Sequence, residues 1–535
     1  MNDSFVGTPY HKHTQWEGYD AVVIGSGIGG LTAAVLLARY GGWRVLVLER
    51  HYTAGGFTHT FTRKGFEWDV GVHYIGEVLR AESLTARLFH VVTGGRVQWA
   101  SLGEVYDRIV VGDTVVDFPA GREAWREALL EHFPHEARGL DAYIQAVREA
   151  TRASLRYFLA KALPLPMKGV PERLLLKGFY RYADRTTREV LAGLIQDPVF
   201  QTVLTGQYGD YGLPPGQSSF VMQAMLARHY WNGAAYPVGG ASVLAREATR
   251  ELASLGGAVV VRAEVERLVL DDRGRAVGVR LTNGHVIHAP RVISDAGFAT
   301  TFLRLLPQDH PVRQQAQQVV QRVGLSMAHL NLYVGLDADD RTLGLPKHNI
   351  WVYPGPDHDA HMARYLADPE APLPLVFISF GSARDPDFPR RYPGRATLQV
   401  IAPARWDWFR RWTDRPWQRR GEEYEALKAR FTERLLTVLY RMVPQVKGHV
   451  VHAELSTPLS TVHFTGHPQG AIYGLNHNPA RFREPMLRPQ TPIPGLYLTG
   501  ADVSTAGVAG ALSGGLLTTS FLLKRNLTSA VRRDT

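Results

Sequence analysis

The stretch Ala21–Arg50, AVVIGSGIGGLTAAVLLARYGGWRVLVLER, limits what this chain can fold into more than any other part of it. From Ala21 to Ala38 it carries no charge, which is nearly the length of a membrane span. Glycines at 25, 27, 29 and 30 argue against a span, because each weakens a helix through lost backbone entropy. Ala21–Gly25 reads instead as a short buried strand entering a turn, LTAAVLLARY as a helix and WRVLVLE as a second buried strand. Gly25, Gly27 and Gly30 then match G-x-G-x-x-G. The first glycine permits a tight turn, the second lets a pyrophosphate approach the backbone, and the third lets helix and strand pack closely. The helix N-terminus offers free N–H groups and partial positive charge to phosphates. Glu49, 24 residues after Gly25, ends the second strand, where a carboxylate accepts hydrogen bonds from ribose hydroxyls. The stretch reads as a dinucleotide pocket.

Composition narrows the chemistry. With 535 residues, 45% of them hydrophobic, the chain has room for two domains and a large core. A net charge of +10 is too mild to argue for nucleic acid. There are no cysteines, so disulfides, thiolate nucleophiles, Fe–S clusters and Cys-ligated zinc are excluded, and redox chemistry needs a bound cofactor. His11 and His13, in a polar tail, read as solvated, and no H-E-x-x-H spacing occurs; no metal is expected. The opening segment lacks a basic stretch followed by an apolar core, so no secretory signal or transmembrane span is read, and the expected compartment is cytoplasmic.

A second glycine pair, Gly55-Gly56, follows the acid, and near the other end PGLYLTGADVSTAGVAGALSGG reads as strand, turn at Gly500, Asp502 and a small-residue helix. These segments, with GFEWDVGVHYIG, GDYGLPPGQSSF, RHYWNGAAYPVGG and HFTGHPQGAIYG, closely resemble the FAD-dependent phytoene desaturase and carotenoid isomerase family, in particular its retinol-saturase-like branch. The resemblance runs from about residue 19 to 523. One departure is Ser294-Asp295-Ala296, where an Asn is expected in the middle position. The resemblance implies an α/β architecture: a discontinuous Rossmann-type FAD-binding domain with an inserted α+β substrate domain, as in amine oxidases and phytoene desaturases. It implies that Gly25, Ser26, Gly27, Gly29 and Gly30 bind the pyrophosphate of FAD, that Glu49 with neighbouring Arg50 meets the adenosine ribose, and that Gly55 and Gly56 pass close to the cofactor. Val265 would present its backbone to the adenine. Asp502, after Gly500, would bond the ribityl chain or pyrophosphate, and Val508 would pack near the isoalloxazine. For Asp502 the plain alternative is a helix N-cap.

The expected organisation is a polar tail over 1–18, an FAD-binding domain from 19–90, 235–300 and 450–525, and a substrate domain from 91–234 and 301–449. RAVGVRLTNGHVIHA reads as a hairpin turning at Asn283-Gly284. MAHLNLYVGL, LVFISFG and ATLQVIAP read as substrate-domain strands, and YEALKARFTERLLTVLYRMV as an amphipathic helix ending before Pro444. Residues 151–188 set nine basic residues against two acidic ones among apolar side chains, which reads as a peripheral membrane contact or, alternatively, a solvated helical face. The aromatic-basic run RWDWFRRWTDRPW reads first as packing, then as membrane contact, and last as a nucleic-acid surface.

The expected substrate is a long apolar polyene or related lipid, of retinoid or carotenoid kind, with saturation favoured over desaturation or cis/trans isomerisation. No second G-x-G-x-x-G is present, so the electron donor or acceptor stays unidentified. His73 and Tyr74, in GVHYIG, fall where the family's chain passes the flavin, and a histidine near neutral pKa gives or takes a proton. Tyr211 in GDYGLPPG and Tyr236 in AYPVGG are further candidates; for each the plain alternative is a packed aromatic whose tip finds a backbone partner. A lipid carrier resembling the Rab GDP-dissociation inhibitors and an amine-oxidase-like enzyme are the rival readings.

Overall fold

The computed structural model describes residues 5–12, 16–162 and 176–535. A six-stranded sheet takes the strands in the order Thr8–Pro9, Ala258–Val261, Val45–Leu48, Ala21–Ile24, Val292–Ser294 and Leu496–Leu498, every pair parallel. The middle strands AVVI and VLVL are buried at every position, as a parallel sheet covered on both faces requires. Helix Ile28–Gly41 follows the glycine turn and packs against helix Gly507–Leu522 from the far end of the chain. The approach is close: a Cβ on Gly515 would stand 2.6 Å from Thr32 Cβ. Part of the expected polar tail is therefore structural, since Thr8–Pro9 forms the edge strand beside Val260–Val261.

A seven-stranded sheet forms the second body, in the order Val450–Ser456, Ala328–Leu336, Ala396–Ala404, Val376–Ser379, Asn349–Tyr353, Val105–Val111 and Thr114–Pro119. All its pairs are antiparallel except Asn349–Tyr353 with Val105–Val111. Three of these strands, Ala328–Leu336, Val376–Ser379 and Ala396–Ala404, are the ones expected from the sequence. Val450–Ser456, expected in the FAD-binding part, instead pairs with Ala328–Leu336; the chain returns to the nucleotide side only after it. Helix Glu422–Met442 lies on this sheet through Phe431, Leu435 and Leu439, and ends before Pro444 as expected. Helices Ala137–Lys161 and Phe220–Tyr230 pack on each other beside it. The hairpin at Asn283-Gly284 is present, with Ala276–Leu281 antiparallel to Val286–His288. In the aromatic-basic run Trp412 is buried, Trp406 and Trp408 pack against the same core, and Trp417 stacks on His463; the run is packing.

Candidate active site

One cavity of about 820 Å³ joins the two bodies. Its walls include Gly25, Gly27, Gly29, Glu49, Arg50, Gly55 and Gly56 at one end and Asp210, Tyr230, Trp351 and Phe377 at the other. Val265, Asp502 and Val508 also face it, whereas Ser26, Gly30 and Gly500 sit behind the wall.

At the nucleotide end each glycine has a steric reason. Gly25 turns with φ +95°, a left-handed conformation that side chains disfavour. A Cβ on Gly30 would lie 2.4 Å from the Gly25 carbonyl oxygen, so only glycine lets the helix start this close to the strand. Helix Ile28–Gly41 begins at Gly27 with no cap from that residue's own side chain and no acid in its first turn; the Asp295 carboxyl takes the Gly30 N–H, and the glycines beside it line the cavity. Glu49 Oε2 accepts from the Ser26 backbone N–H (2.9 Å) and Ser26 hydroxyl (2.7 Å), and Oε1 from the His51 N–H (2.8 Å). The Ser26 oxygen also accepts from Gly55 N–H at 3.1 Å, so Ser26 fastens the acid to the second glycine pair rather than reaching the cavity. Among the described residues Arg50 Nη1, His51 Nε2 and Thr499 Oγ1 are buried without a partner, and all three residues line the cavity. Unpaired polar groups beside a glycine-lined helix start fit a dinucleotide diphosphate.

Two carboxylates here differ from what their positions imply. Asp502 Oδ2 accepts from Phe298 N–H (2.7 Å), and Oδ1 from Leu475 N–H (3.1 Å) and from buried Arg481 (3.4 Å). It clamps three distant segments together before it meets any cofactor. Asp295, the departure noted in sequence, fills the space between the fingerprint and Gly500: a Cβ on Gly500 would stand 2.1 Å from its Oδ1 and one on Gly27 2.4 Å from its Oδ2. Burial, with Glu49 and Asp502 adding, pushes its carboxyl up to about 7.

The far end is a buried polar cluster set in an apolar wall. Arg384 is fully buried and donates to the His73 carbonyl (2.6 Å), Ser379 Oγ (2.9 Å) and Asn349 Oδ1 (2.5 Å). His73 Nδ1 lies 2.9 Å from Ser379 Oγ, as donor or acceptor according to its tautomer. Burial, then Arg384 and His329, pull His73 down to about 3. His73 thus stands in the wall as expected but as a neutral ring, without the near-neutral pKa that its sequence position had suggested. Tyr74 stacks on Tyr230 with ring centroids 4.3 Å apart, and its hydroxyl lies 3.0 Å from Asp107 Oδ2 and 2.9 Å from Asp210 Oδ2.

Tyr211 is not brought to the cavity. Its hydroxyl reaches Gln223 Oε1 at 2.9 Å inside the helical core. The single turn Tyr208–Asp210 aims the preceding residue, Asp210, at the cavity and turns Tyr211 away. Tyr236 is likewise a packed polar aromatic, bonded to Asp69 at 2.5 Å. Asp210, Tyr230, His329 and Arg384 were missed. Asp210 and Tyr230 had a local signal, since each stands inside a motif already singled out, GDYGLPPGQSSF and RHYWNGAAYPVGG.

Residues 163–175 of the basic segment lie outside the described residues. In the rest, Lys161 is buried and donates to the Val503 carbonyl at 3.1 Å, so it does not face solvent. Arg188 pairs with Asp357 and Asp359. Leu155 and Leu159, exposed at 64% and 44%, stand on the same helix at the cavity's edge. Among the described residues no helix is long and apolar enough to cross a membrane, and no cluster of metal-ligating side chains occurs.

Residues 23–88 match the model of an NAD(P)-binding Rossmann-like domain. The whole chain superposes on putrescine oxidase with its substrate bound, with a TM-score of 0.62 at 15% identity, covering 95% of this chain and 99% of that one. Fold and site define the class: an oxidoreductase with a Rossmann-type dinucleotide-binding domain and an inserted α+β domain. The chain is 37% identical over 531 residues, 96% of its length and 87% of the relative's, to an all-trans-retinol 13,14-reductase of Danio rerio. It is 27% identical over 519 residues, 93% of its length and 82% of the relative's, to a chloroplastic prolycopene isomerase of an Oncidium hybrid. It belongs to the all-trans-retinol 13,14-reductase family.

Proposed function

We propose that this chain binds FAD and adds two hydrogens across a carbon–carbon double bond of a long apolar polyene, a retinoid or a carotenoid-like molecule. The observation that carries the reading is the continuous cavity from the glycine fingerprint to an apolar chamber walled by Met222, Met225, Leu226, Trp351, Phe377 and Ile401. A polyene fills such a chamber through area removed from water, about 25 cal/mol per Å². FAD, when bound, supplies two-electron hydride chemistry. The Gly27 turn and the helix start behind it would hold the diphosphate, Glu49 and Arg50 the ribose side, and Val265 the adenine. Gly55, Gly56 and Val508 would border the ring. The apolar wall keeps water from the reacting carbons. The His73 ring, in the cavity wall, is available to hydrogen-bond a polar end group of the substrate.

The test is anaerobic mixing of photoreduced, FAD-loaded protein with all-trans-retinol, a carotenoid and an unsaturated fatty acid. The expected result is flavin reoxidation with one polyene gaining two hydrogens. If none reoxidises the flavin, the reading is wrong. The second reading, double-bond isomerisation, is favoured by the likeness to a prolycopene isomerase. It would give a product of unchanged mass and altered geometry. Exposed Leu155 and Leu159 at the cavity edge support loading from a membrane surface, with Arg152 and Arg156 on the same helix available to anionic headgroups.

A further inference from the structure

We propose that Asp210, carried into the cavity wall by the turn Tyr208–Asp210, is the acid that protonates the substrate carbon, and that Tyr74 and Asp107 behind it hold the proton on that carboxyl until it is used. The proposal rests on the polyene-reductase reading and names the group that completes it.

The hydrogen-bond inventory requires a protonated carboxyl. Tyr74 has one phenolic hydrogen, yet its oxygen lies within 3.0 Å of Asp107 and 2.9 Å of Asp210. Two ionised carboxylates only accept, and one hydrogen does not serve both at these distances. One of the acids must therefore donate to the tyrosine oxygen. Asp107 is the member that ionises more readily, held by burial up to about 7 against about 8 for Asp210. It accepts from Asn349 Nδ2 at 2.7 Å and Gln207 Nε2 at 2.5 Å, and Asn349 passes the influence of Arg384 to it through a bond of 2.5 Å. Asp210 has no cation or amide donor of this kind; its neighbours are the phenols Tyr74 and Tyr230. The proton belongs on Asp210. Burial, with the charge of Asp107 adding, pushes the Asp210 carboxyl up to about 8.

Placement singles out the same residue. The acids lining the cavity are Glu49, Asp210, Glu264, Asp295 and Asp502. Glu49 and Asp502 are filled by N–H donors, Glu264 pairs with Arg50 and Arg304, and Asp295 lies among the fingerprint glycines. Asp210 alone stands at the apolar end, beside Tyr230 and Trp351, while Asp107 is behind the wall. His73, neutral at physiological pH, has no readily given proton.

In the proposed step a hydride, which reduced FAD would supply when bound, adds to one carbon of the double bond. The electron pair that develops on the conjugated neighbouring carbon takes the Asp210 proton. A C–H bond forms, the O–H bond breaks, and its electrons stay on the carboxylate. Tyr74 and Tyr230 then donate to that carboxylate, and two buried anions sharing one phenol favour rapid reprotonation.

The test compares wild type, Asp210→Asn and Asp107→Asn. Asparagine matches a neutral aspartic acid in shape and still donates to the Tyr74 oxygen, so Asp210→Asn should fold. Infrared difference spectra of the cofactor-free proteins should show a protonated-carboxyl C=O band lost in Asp210→Asn and kept in Asp107→Asn. With FAD loaded, single-turnover reduction of the polyene should fall about 100-fold or more in Asp210→Asn, with substrate affinity within about threefold, as expected for loss of a general acid. A wild type that reduces a polyene while Asp210→Asn does so equally well overturns the assignment and leaves the reductase reading standing. So does a band unchanged by Asp210→Asn. A wild type that reduces no polyene overturns both. Should Asp210→Asn not fold, Tyr74→Phe removes the acceptor of the Asp210 proton. A band that shifts supports the assignment, and one that does not move overturns it.

Discussion

The two ends of the cavity are built on opposite principles. At the nucleotide end, recognition comes from backbone and glycine: the helix start at Gly27, the close packing at Gly30, and Glu49 held by three donors from residues 26 and 51. Its essential contacts arise within about thirty consecutive residues. At the apolar end, recognition comes from side chains, and Tyr74, Asp107, Asp210, Asn349 and Arg384 arrive from separate segments to share protons in a dry interior. Backbone recognition tolerates no added volume. Side-chain recognition depends on which group holds a proton.

That contrast is open to direct attack. The largest effect should come from Gly30→Ala, whose Cβ would meet the Gly25 carbonyl at 2.4 Å. Overpacking against backbone costs about 3 kcal/mol, and dinucleotide binding should be lost, as read by urea unfolding and FAD titration. Asp107→Asn comes next. It turns an amide group toward the Asn349 and Gln207 donors, leaving buried polar groups unmatched at a cost of about 2 kcal/mol in the same unfolding assay. Asp210→Asn, replacing a neutral group by a neutral one, should cost much less.

The third effect is a pH slope. Burial holds Asp69, Asp107 and Asp295 up to about 7 and Asp210 up to about 8, from an ordinary 3.8. Between these limits the folded chain keeps protons that the unfolded chain has released. The stabilisation is complete below about pH 4 and is lost as pH rises through 8. Buried His73, His229 and His329, pulled down from 6.5, act oppositely and only below that value. Unfolding free energy should therefore fall between pH 6.5 and 8, by up to about 1.4 kcal/mol per unit for each proton. Asp210→Asn should flatten the slope; an unchanged slope would place the retained protons elsewhere. The smallest effect on the fold should come from Leu155→Glu with Leu159→Glu, since both are exposed: within about 0.5 kcal/mol in stability, while sedimentation with anionic vesicles weakens.

Much of the nucleotide end was legible because its determinants are local. The strand–turn–helix–strand order, Gly25, Gly27, Gly30 and Glu49 all stand as read from spacing alone. Asp502 was placed correctly at the cavity, yet its partners at 298, 475 and 481 are invisible in sequence. Choosing Tyr211 over Asp210 shows the limit. Both stand in one motif, and a single turn decides which faces the chamber.

The linear order of residues determined the strand, glycine turn and helix start that we read as the dinucleotide end, since such a turn and helix start make their own geometry from neighbouring atoms. Only tertiary folding decided the ionisation of its acids and histidines. The state of Asp210 depends on Tyr74, Asp107 and Arg384, which lie far apart along the chain, and on the water their assembly excludes. Desolvation is a property of the packed interior, and no stretch of residues carries it alone.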